Sequence, residues 1–498
     1  MKNYKRDIII FLIMFIFSII MCNGFVRMHY TTDTYKIADI GYKTYAYNWS
    51  LKDGRILMFL FFSLCDILNF SLKVTNAISE IIAIAVSCLT VLEIKSIIES
   101  IKPTKNIKQE ILVTIISYLL IFNYMYIEVL YFLEVIIISF SLFCFVLSAK
   151  FLLNEDKKGN LIKSGLLCIL GIISYQGSIG FYMAFTICMI IIKYNKINIE
   201  VIKKIIEVLL ISGIAVLSDL IIITVICSSL NLSQGRLSIN SIPKNLRYIF
   251  ANSDLIIFSS CGLLPRYLAF LELAIIELTI ILYFIKVKKY KNIIFSILII
   301  IFTVIFDFAI FVGTFYSIDC GRMHLALGSI NMLLIIYVYC NTDIFVDFKN
   351  IFSIILLIYI STLFVLNTIN YVLELNMVQY KNRLEKEYCE RIANYIRENN
   401  INVKGAMIIP IKGEKKRIYF DDIPYRNKLS INEVKGYVGA LSSFRSFTGL
   451  DLKEIERNSE IVEKYKEKLS NNSEEDDFIE GTDSVIIDDV LVIPVFIW

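Results

Sequence analysis

Long apolar runs separated by short polar segments make up the first three quarters of the chain. Between Ile8 and Tyr371 these runs recur at about 20 residues, the length that an α-helix needs to cross a hydrocarbon core of roughly 30 Å. The pattern predicts a polytopic α-helical membrane protein. We predict eleven spans, at residues 8–22, 77–94, 111–127, 129–149, 161–174, 178–192, 205–227, 267–285, 293–312, 324–340 and 351–371.

One further apolar segment, residues 56–72, has a polar side formed by Asp66, Asn69 and Ser71. If it spanned the membrane, the basic cluster Lys95–Lys108 would lie outside. We therefore predict a helix that lies in the outer interface or re-enters the membrane. Twelve spans is the alternative.

The pattern becomes that of a soluble domain near residue 374. It predicts a membrane domain over residues 1–373 and a small α/β domain, here called the tail, over residues 374–498. The predicted tail elements are helices at 379–399 and 452–469 and strands at 403–411, 417–420 and 485–498, with a flexible acidic loop at 470–477.

Composition supports this division. The 498 residues are 57% hydrophobic, with a mean hydropathy of +0.66, which excludes a disordered chain or a small disulfide scaffold. The net charge of +4 is the sum of +8 in the membrane domain and −4 in the tail, and it forms no basic stripe, so nucleic acid is not an expected partner.

The positions of the basic residues orient the chain. The segments that the eleven spans place inside hold 20 Lys and Arg, and the outside segments hold 11. Because basic residues concentrate on the cytoplasmic side, the N-terminus is expected to be cytoplasmic and the tail extracytoplasmic. The first span is interpreted as an uncleaved helix, since no small-residue cleavage site follows it.

The first outer loop, residues 23–55, is much longer than a tether requires and holds acids, bases and seven aromatic residues. Asp33 or Asp39 is a candidate general base at the outer membrane surface, and the aromatic rings suit a sugar or a lipid. Tyr35, Asp53 and Arg55 are candidate substrate-binding residues. The alternative is that the acids are solvated and the tyrosines form an interfacial belt.

Three more outward positions carry polar candidates. Tyr175 and Gln176 lie in a turn between two spans, where they can bind hydroxyls, although turn chemistry alone explains the segment about as well. Arg266, Arg322 and His324 lie at the outer mouths of later spans. An arginine there can bind a phosphate with two parallel contacts, or it can extend to lipid headgroups.

Several familiar sites are missing from the sequence. It has no Gly-rich phosphate loop, no His-Glu-x-x-His motif, no CxxC pair and no DxD motif in the loops. No cofactor or metal site is predicted, and a need for a divalent metal is left open.

The first loop reads His29-Tyr-Thr-Thr-Asp33-Thr-Tyr35, then Gly41, then Asp53-Gly54-Arg55. Ser174-Tyr175-Gln176 and Gly321-Arg322 follow later. This combination resembles the type II family of bacterial O-antigen serotype-converting glucosyltransferases, in the GT-C superfamily.

The resemblance implies a plasma-membrane glycosyltransferase with 10–13 spans that takes a sugar, glucose by analogy, from a polyprenyl-phosphate donor. It implies transfer to a surface polysaccharide or glycolipid acceptor. Asp33 matches the acid of the first loop, with Asp39 as the rival, and Arg55 ends the Asp-Gly-Arg motif.

The chemistry of the residues agrees with the resemblance. An outward-facing enzyme has no access to cytoplasmic nucleotide sugars, and a lipid-linked donor solves that supply. Arg55, Arg266 or Arg322 can stabilise the phosphate leaving group. The competing hypotheses are a polysaccharide polymerase or ligase that depends on outer-loop arginines, and a lipid-linked sugar flippase or transporter. The latter requires ionisable groups inside the membrane, for which the candidates are Glu80, Asp219, Glu272, Glu277 and Asp307.

Overall fold

The structure is a computed structural model that describes residues 2–154, 159–232, 242–247, 266–309, 311, 321–346, 348, 350–411, 440–470, 478–480 and 482–496. Its membrane domain is built from long helices. They are α1 (Lys2–Met21), α2 (Thr32–Ile40), α3 (Ile56–Ile67), α4 (Leu72–Ile101), α5 (Ile107–Ile121), α6 (Val135–Leu153), α7 (Asn160–Ser174), α8 (Ile179–Tyr194), α9 (Ile199–Ser229), α10 (Arg266–Lys286), α11 (Tyr290–Ala309), α12 (Leu325–Asn341) and α13 (Ile351–Glu398).

The prediction of a helical membrane protein is confirmed. Each of the eleven predicted spans overlaps one helix, namely α1, α4 to α12 and α13. Within the described residues, six helices are long and apolar enough to cross a membrane: α4, α6, α8 with its preceding turn, α9, α11 and α13. The exact number of spans stays a prediction.

Helix α9 has an exposed apolar face of the kind that contacts lipid. One stripe of it is apolar and exposed, with exposed fractions between 49% and 64% at Ile206, Leu210, Ile214, Leu217, Ile221 and Val225. The spacing of three or four residues places all six on one face. A contiguous exposed apolar face of this length is expected where a helix contacts lipid tails rather than water.

The predicted spans 111–127 and 129–149 are wrong in their bounds. Helix α5 ends at Ile121, α6 begins at Val135, and residues 122–134 form turns around one short helix, Tyr126–Val129. Asn123 organises this segment: its Nδ2 donates to the Leu120 and Leu325 carbonyls at 3.0 and 3.3 Å, and its Oδ1 accepts from the Met125 N–H at 2.9 Å. The segment is buried within the protein, where irregular backbone is tolerated.

The segment predicted to lie in the interface forms α3. Its 12 residues span about 18 Å, which is too short for a hydrocarbon core of roughly 30 Å. Met58, Phe62 and Cys65 pack inward while Leu60 and Leu64 are exposed. This two-sided helix is consistent with an interfacial position, which itself stays a prediction.

The predicted boundary between membrane domain and tail falls inside one helix. Helix α13 continues through residue 374 without interruption, and its 48 residues reach about 72 Å. The span 351–371 and the tail helix 379–399 are therefore two parts of one helix.

The tail contains a three-stranded sheet with strand order β1-β3-β2, formed by β1 (Gly405–Ile411), β2 (Val485–Ile487) and β3 (Val490–Phe496). Strand β1 pairs with β3 in parallel and β2 pairs with β3 antiparallel. The predicted single strand 485–498 is thus a hairpin, because Asp488 and Asp489 both take positive φ, 53° and 65°, at its turn. Two helices pack beside the sheet, α14 (Ala440–Thr448) and α15 (Ser459–Ser470).

The other tail predictions either differ from the structure in their bounds or fall outside the described residues. The predicted helix 452–469 begins later, at Ser459. The predicted strand 417–420 and nearly all of the acidic loop 470–477 lie outside the described residues.

Candidate functional site

Helix α2 carries Asp33 into the membrane domain. The helix begins after Thr31, whose hydroxyl accepts from the Thr34 N–H at 3.3 Å, and it ends at Gly41, where φ is +81°. Asp33 lies in the first turn, where the helix dipole stabilises a carboxylate. The Tyr45 hydroxyl hydrogen-bonds with Asp33, and burial followed by Asp33 raises the pKa of Tyr45, so that this hydroxyl stays protonated.

Two guanidinium groups meet on Tyr175. Arg322 Nε donates to the Tyr175 hydroxyl at 3.1 Å, and the Arg55 guanidinium lies 5.1 Å from the centre of the same ring. The Arg322 guanidinium also lies 4.2 Å from the centre of the Phe132 ring. A cation held against an aromatic face and a hydroxyl keeps one orientation, which suits the binding of an anion.

Two carboxylates of the 122–134 segment complete this arrangement. Glu128 Oε1 accepts from Arg322 Nη1 at 2.7 Å. Glu134, immediately before α6, is buried, and its Oε2 has no hydrogen-bond partner among the described residues. Burial and the neighbouring Asp33 raise the pKa of Glu134 to about 7, against the lowering effects of its own backbone N–H, Arg55 and Arg322.

The turn that carries Arg55 rests on α9. Gln176 Nε2 donates to the Asp53 carbonyl at 2.7 Å and approaches the Asp219 carboxylate at 3.2 Å. Gly54 has φ of +74°, and a Cβ there would lie 2.2 Å from Ile223 Cγ1. Only glycine allows this close approach, so Gly54 sets the position of Arg55 beside Tyr175.

The structure thus brings together six of the ten predicted site residues: Asp33, Asp53, Arg55, Tyr175, Gln176 and Arg322. With Glu128 and Glu134 they form what we call the outer cluster. It contains both signs of charge at the ends of helices that the sequence predicts to face outward.

Three predicted residues lie elsewhere. Asp39 pairs with Arg445 at 2.9 Å, and the Tyr35 hydroxyl donates to Glu385 Oε2 at 2.5 Å, so both face the tail. His324 is buried, with its Nδ1 2.5 Å from Asp307 Oδ2 and its ring stacked on Phe311. The side chain of Arg266, at the start of α10, lies outside the described residues.

Glu128 and Glu134 were missed because the apolar pattern assigned their surroundings to two spans. Two acids within a stretch that reads as membrane from residue 111 to 149 were the available signal. Ionisable residues at such a depth mark functional positions by default.

In chemical terms the outer cluster offers the Asp33 carboxylate, which neighbours the Tyr45 hydroxyl outside the cluster, and two guanidinium groups for an anion. Within the described part of the chain, no group of three or more His, Cys, Asp or Glu side chains is arranged to hold a metal ion.

Comparison with known proteins gives no family for the chain. No protein-family model, curated protein or solved structure matches it.

Proposed function

We propose that the chain is a membrane glycosyltransferase that moves a sugar from a polyprenyl-phosphate donor to a surface glycan on the outer face of a bacterial plasma membrane. The observation that carries the proposal is the outer cluster, where two guanidinium groups held on Tyr175 and the carboxylate of Asp33 all neighbour the buried Glu134. The guanidinium groups can stabilise a phosphate leaving group, and a carboxylate can accept the proton of the acceptor hydroxyl.

In the proposed reaction the acceptor oxygen forms a bond to the anomeric carbon of the sugar. The bond from that carbon to the phosphate oxygen breaks, and polyprenyl phosphate leaves with the electron pair. Asp33 takes the proton of the acceptor hydroxyl, while Arg55 and Arg322 stabilise the phosphate. This single displacement inverts the anomeric configuration, which NMR of the product measures.

Asp33 is preferred to Asp39 as the base because of its surroundings. Asp33 neighbours Tyr45 and Glu134, and Glu134 in turn neighbours Arg55 and Arg322. Asp39 is already bound by Arg445 and by the Ser442 hydroxyl at 3.0 Å.

The test uses membranes that contain the full chain and a polyprenyl-phosphate donor with radiolabelled glucose. Label that moves from the lipid extract into the delipidated glycan measures transfer. We expect Asp33→Asn to lower the transfer rate by about 10²–10⁴-fold, as for loss of a general base. Arg322→Lys keeps the charge but loses the separate contacts of Nε with Tyr175 and of Nη1 with Glu128 that orient it, and about a tenfold loss is expected.

Asp66→Asn is the matched control, since Asp66 lies on the neighbouring α3 and is not part of the outer cluster. It is expected to keep the wild-type rate. Full transfer by the Asp33→Asn variant would rule out this residue as the base.

A lipid-linked sugar transporter is the second candidate, because acids lie inside the helices. Asp307 and His324 form a fully buried pair, and Asp219 lies within α9, about two thirds of the way along it. Movement of the labelled donor between leaflets without label in the glycan would favour this function over transfer.

A further inference from the structure

Helix α2 lies between the membrane domain and the tail, and it presents a different face to each. At about 100° per residue, Asp33 and Ile37 share one face, while Tyr35 and Asp39 lie about 200° and 240° around the helix from Asp33. Ile37 packs in a buried cluster with Tyr45, Phe62 and Leu133 of the membrane domain. The face that carries Asp33 is therefore turned to the outer cluster, and the opposite face is turned to the tail.

On the tail side, Asp39 is held by α14. Its Oδ2 accepts from Arg445 Nη1 at 2.9 Å and from the Ser442 hydroxyl at 3.0 Å. Arg445 is itself fixed, because its Nε and Nη2 donate to the Leu452 carbonyl at 2.9 and 2.7 Å. The cation that reaches Asp39 is thus oriented by the tail's own backbone.

The extension of α13 beyond the membrane binds the same helix at a second point. Glu385, which is almost fully buried, accepts from the Tyr35 hydroxyl at 2.5 Å and from Asn382 Nδ2 at 2.9 Å. Asn382 also exchanges two hydrogen bonds with the Tyr30 backbone, at 2.8 and 3.0 Å.

Aromatic packing joins the two points. Tyr30 and Tyr35 stack with their centres 5.0 Å apart, and Phe447 of α14 packs edge-on against both. The contact therefore combines a part-buried ion pair, hydrogen bonds to a buried carboxylate and an aromatic cluster. Such a contact is stronger than isolated surface ion pairs, which contribute little.

We propose that the tail positions the base of the proposed reaction: Asp39 and Tyr35 anchor α2 to Arg445 and Glu385, so that the face of α2 that carries Asp33 stays turned to the outer cluster. Asp39 and Tyr35 are positioning residues, since they act through the helix rather than on the substrate. The inference rests on the proposed function for its catalytic consequence, but the anchoring of α2 is measured independently.

The first measurement is hydrogen–deuterium exchange of the full chain in detergent. Asp39→Ala removes the ion pair between α2 and α14 but leaves the Tyr35–Glu385 hydrogen bond and the Arg445–Leu452 contact within the tail. Tyr35→Phe removes one hydrogen bond and keeps the ring. In each variant, exchange of the amides in residues 32–40 is expected to rise about tenfold, as for loss of one hydrogen bond to a charged group.

The control for exchange is Lys464→Ala, because Lys464 pairs with Asp488 and Glu460 inside the tail. It is expected to leave residues 32–40 unchanged. Exchange of that segment at the wild-type rate in both Asp39→Ala and Tyr35→Phe would overturn the proposal, whatever the enzyme does.

The second measurement is the transfer assay. Asp39→Ala and Tyr35→Phe are expected to lower kcat several-fold with the KM for the donor unchanged. Asp39→Asn, whose amide oxygen still accepts from Arg445 and Ser442, is expected to recover most of the rate. An inactive Asp39→Asn with normal exchange would make Asp39 the base and contradict positioning. A wild-type chain without transfer but with the expected exchange would overturn the proposed function alone.

Discussion

At the scale of single residues, position in the fold separates side chains that look equivalent in sequence. Asp33 and Asp39 are acids of the same outer loop, but one neighbours Tyr45 and Glu134 and the other pairs with Arg445. Six residues along a helix amount to about 240°, so the two acids could not share a face once α2 formed. The sequence alone would therefore place Asp33 and Asp39 on different faces, provided that residues 32–40 were predicted to form a helix.

Glu134 leads to a prediction about pH and stability. Its pKa in the folded protein is raised from the ordinary 4.5 to about 7 by burial and Asp33. The unfolded chain therefore releases this proton at lower pH than the folded protein does, and ionisation favours unfolding. We expect the Tm in detergent to fall as pH rises from 4.5 to 7, and Glu134→Gln to flatten that part of the profile.

The comparison requires the same buffer series for wild type and variant. Glu128→Gln is a useful companion, because it removes the other carboxylate of the segment, which is paired with Arg322 at 2.7 Å, and leaves Glu134 in place. If Tm has the same slope with pH in wild type and in Glu134→Gln, Glu134 is not the group that titrates.

At the scale of elements, short irregular segments carry the site and long helices support it. The turn Asp53–Arg55, the segment 122–134 and the turn Gly321–Met323 supply most of the outer cluster, while α6, α8 and α9 hold them. Loops that are fixed on a rigid scaffold are the usual place for functional residues. Single residues fix two of these three segments. Gly54 packs the turn Asp53–Arg55 against α9, and Asn123 accepts a backbone hydrogen bond at the start of segment 122–134.

Gly54→Ala tests the contact between the first loop and α9. The substitution adds a Cβ at 2.2 Å from Ile223 Cγ1 on a backbone with φ of +74°. Both Tm and transfer are expected to fall, because the turn and Arg55 must move. Gly41→Ala also lies at a positive φ, +81°, but meets no atom within 4 Å, so its loss comes from the strained backbone alone, about 1–3 kcal/mol.

The difference between the two alanine variants therefore isolates the steric contact. Adding Ile223→Ala to Gly54→Ala removes the obstructing atoms, and recovery of transfer in the double variant is expected. Equal losses in Gly41→Ala and Gly54→Ala, with no recovery, would mean that the contact with Ile223 is unimportant.

At the scale of the whole molecule, one continuous helix connects bilayer and tail. Helix α13 is about 72 Å long, more than twice the roughly 30 Å of the hydrocarbon core. The charge partition predicted a domain boundary near residue 374, but Glu374 is within the helix and accepts from the Tyr131 hydroxyl at 3.1 Å. The tail is thus joined to the membrane domain without a linker at that point.

The predicted orientation leads to a labelling experiment. Ser459→Cys on the tail and Lys196→Cys between α8 and α9 both create thiols at exposed positions. In intact cells that express the chain, a membrane-impermeant maleimide is expected to label Ser459→Cys and to reach Lys196→Cys only after permeabilisation. The wild-type chain controls for its native cysteines. The reverse pattern would invert the topology and place the outer cluster in the cytoplasm.

The sequence predicted much of the architecture but only part of the site. Eleven apolar runs match eleven helices, because helix formation at an apolar run depends on residues close in sequence. The sequence did not predict the irregular segment 122–134 or the turn at 488–489. The first depends on hydrogen bonds of the buried Asn123 and the second on the positive φ of Asp488 and Asp489, and neither feature changes the hydropathy pattern.

By itself, the sequence determined that this chain is a helical membrane protein with polar residues concentrated between its apolar runs. Only the tertiary structure decided which of those residues meet. Arg322 contacts Tyr175 and Glu128, which are 147 and 194 positions away in the chain, and Asp39 contacts Arg445 across 406 positions. Hydrophobicity is a property of each segment, whereas a charge is stabilised by whichever partner the packing brings within about 3 Å, and that partner is set by the fold.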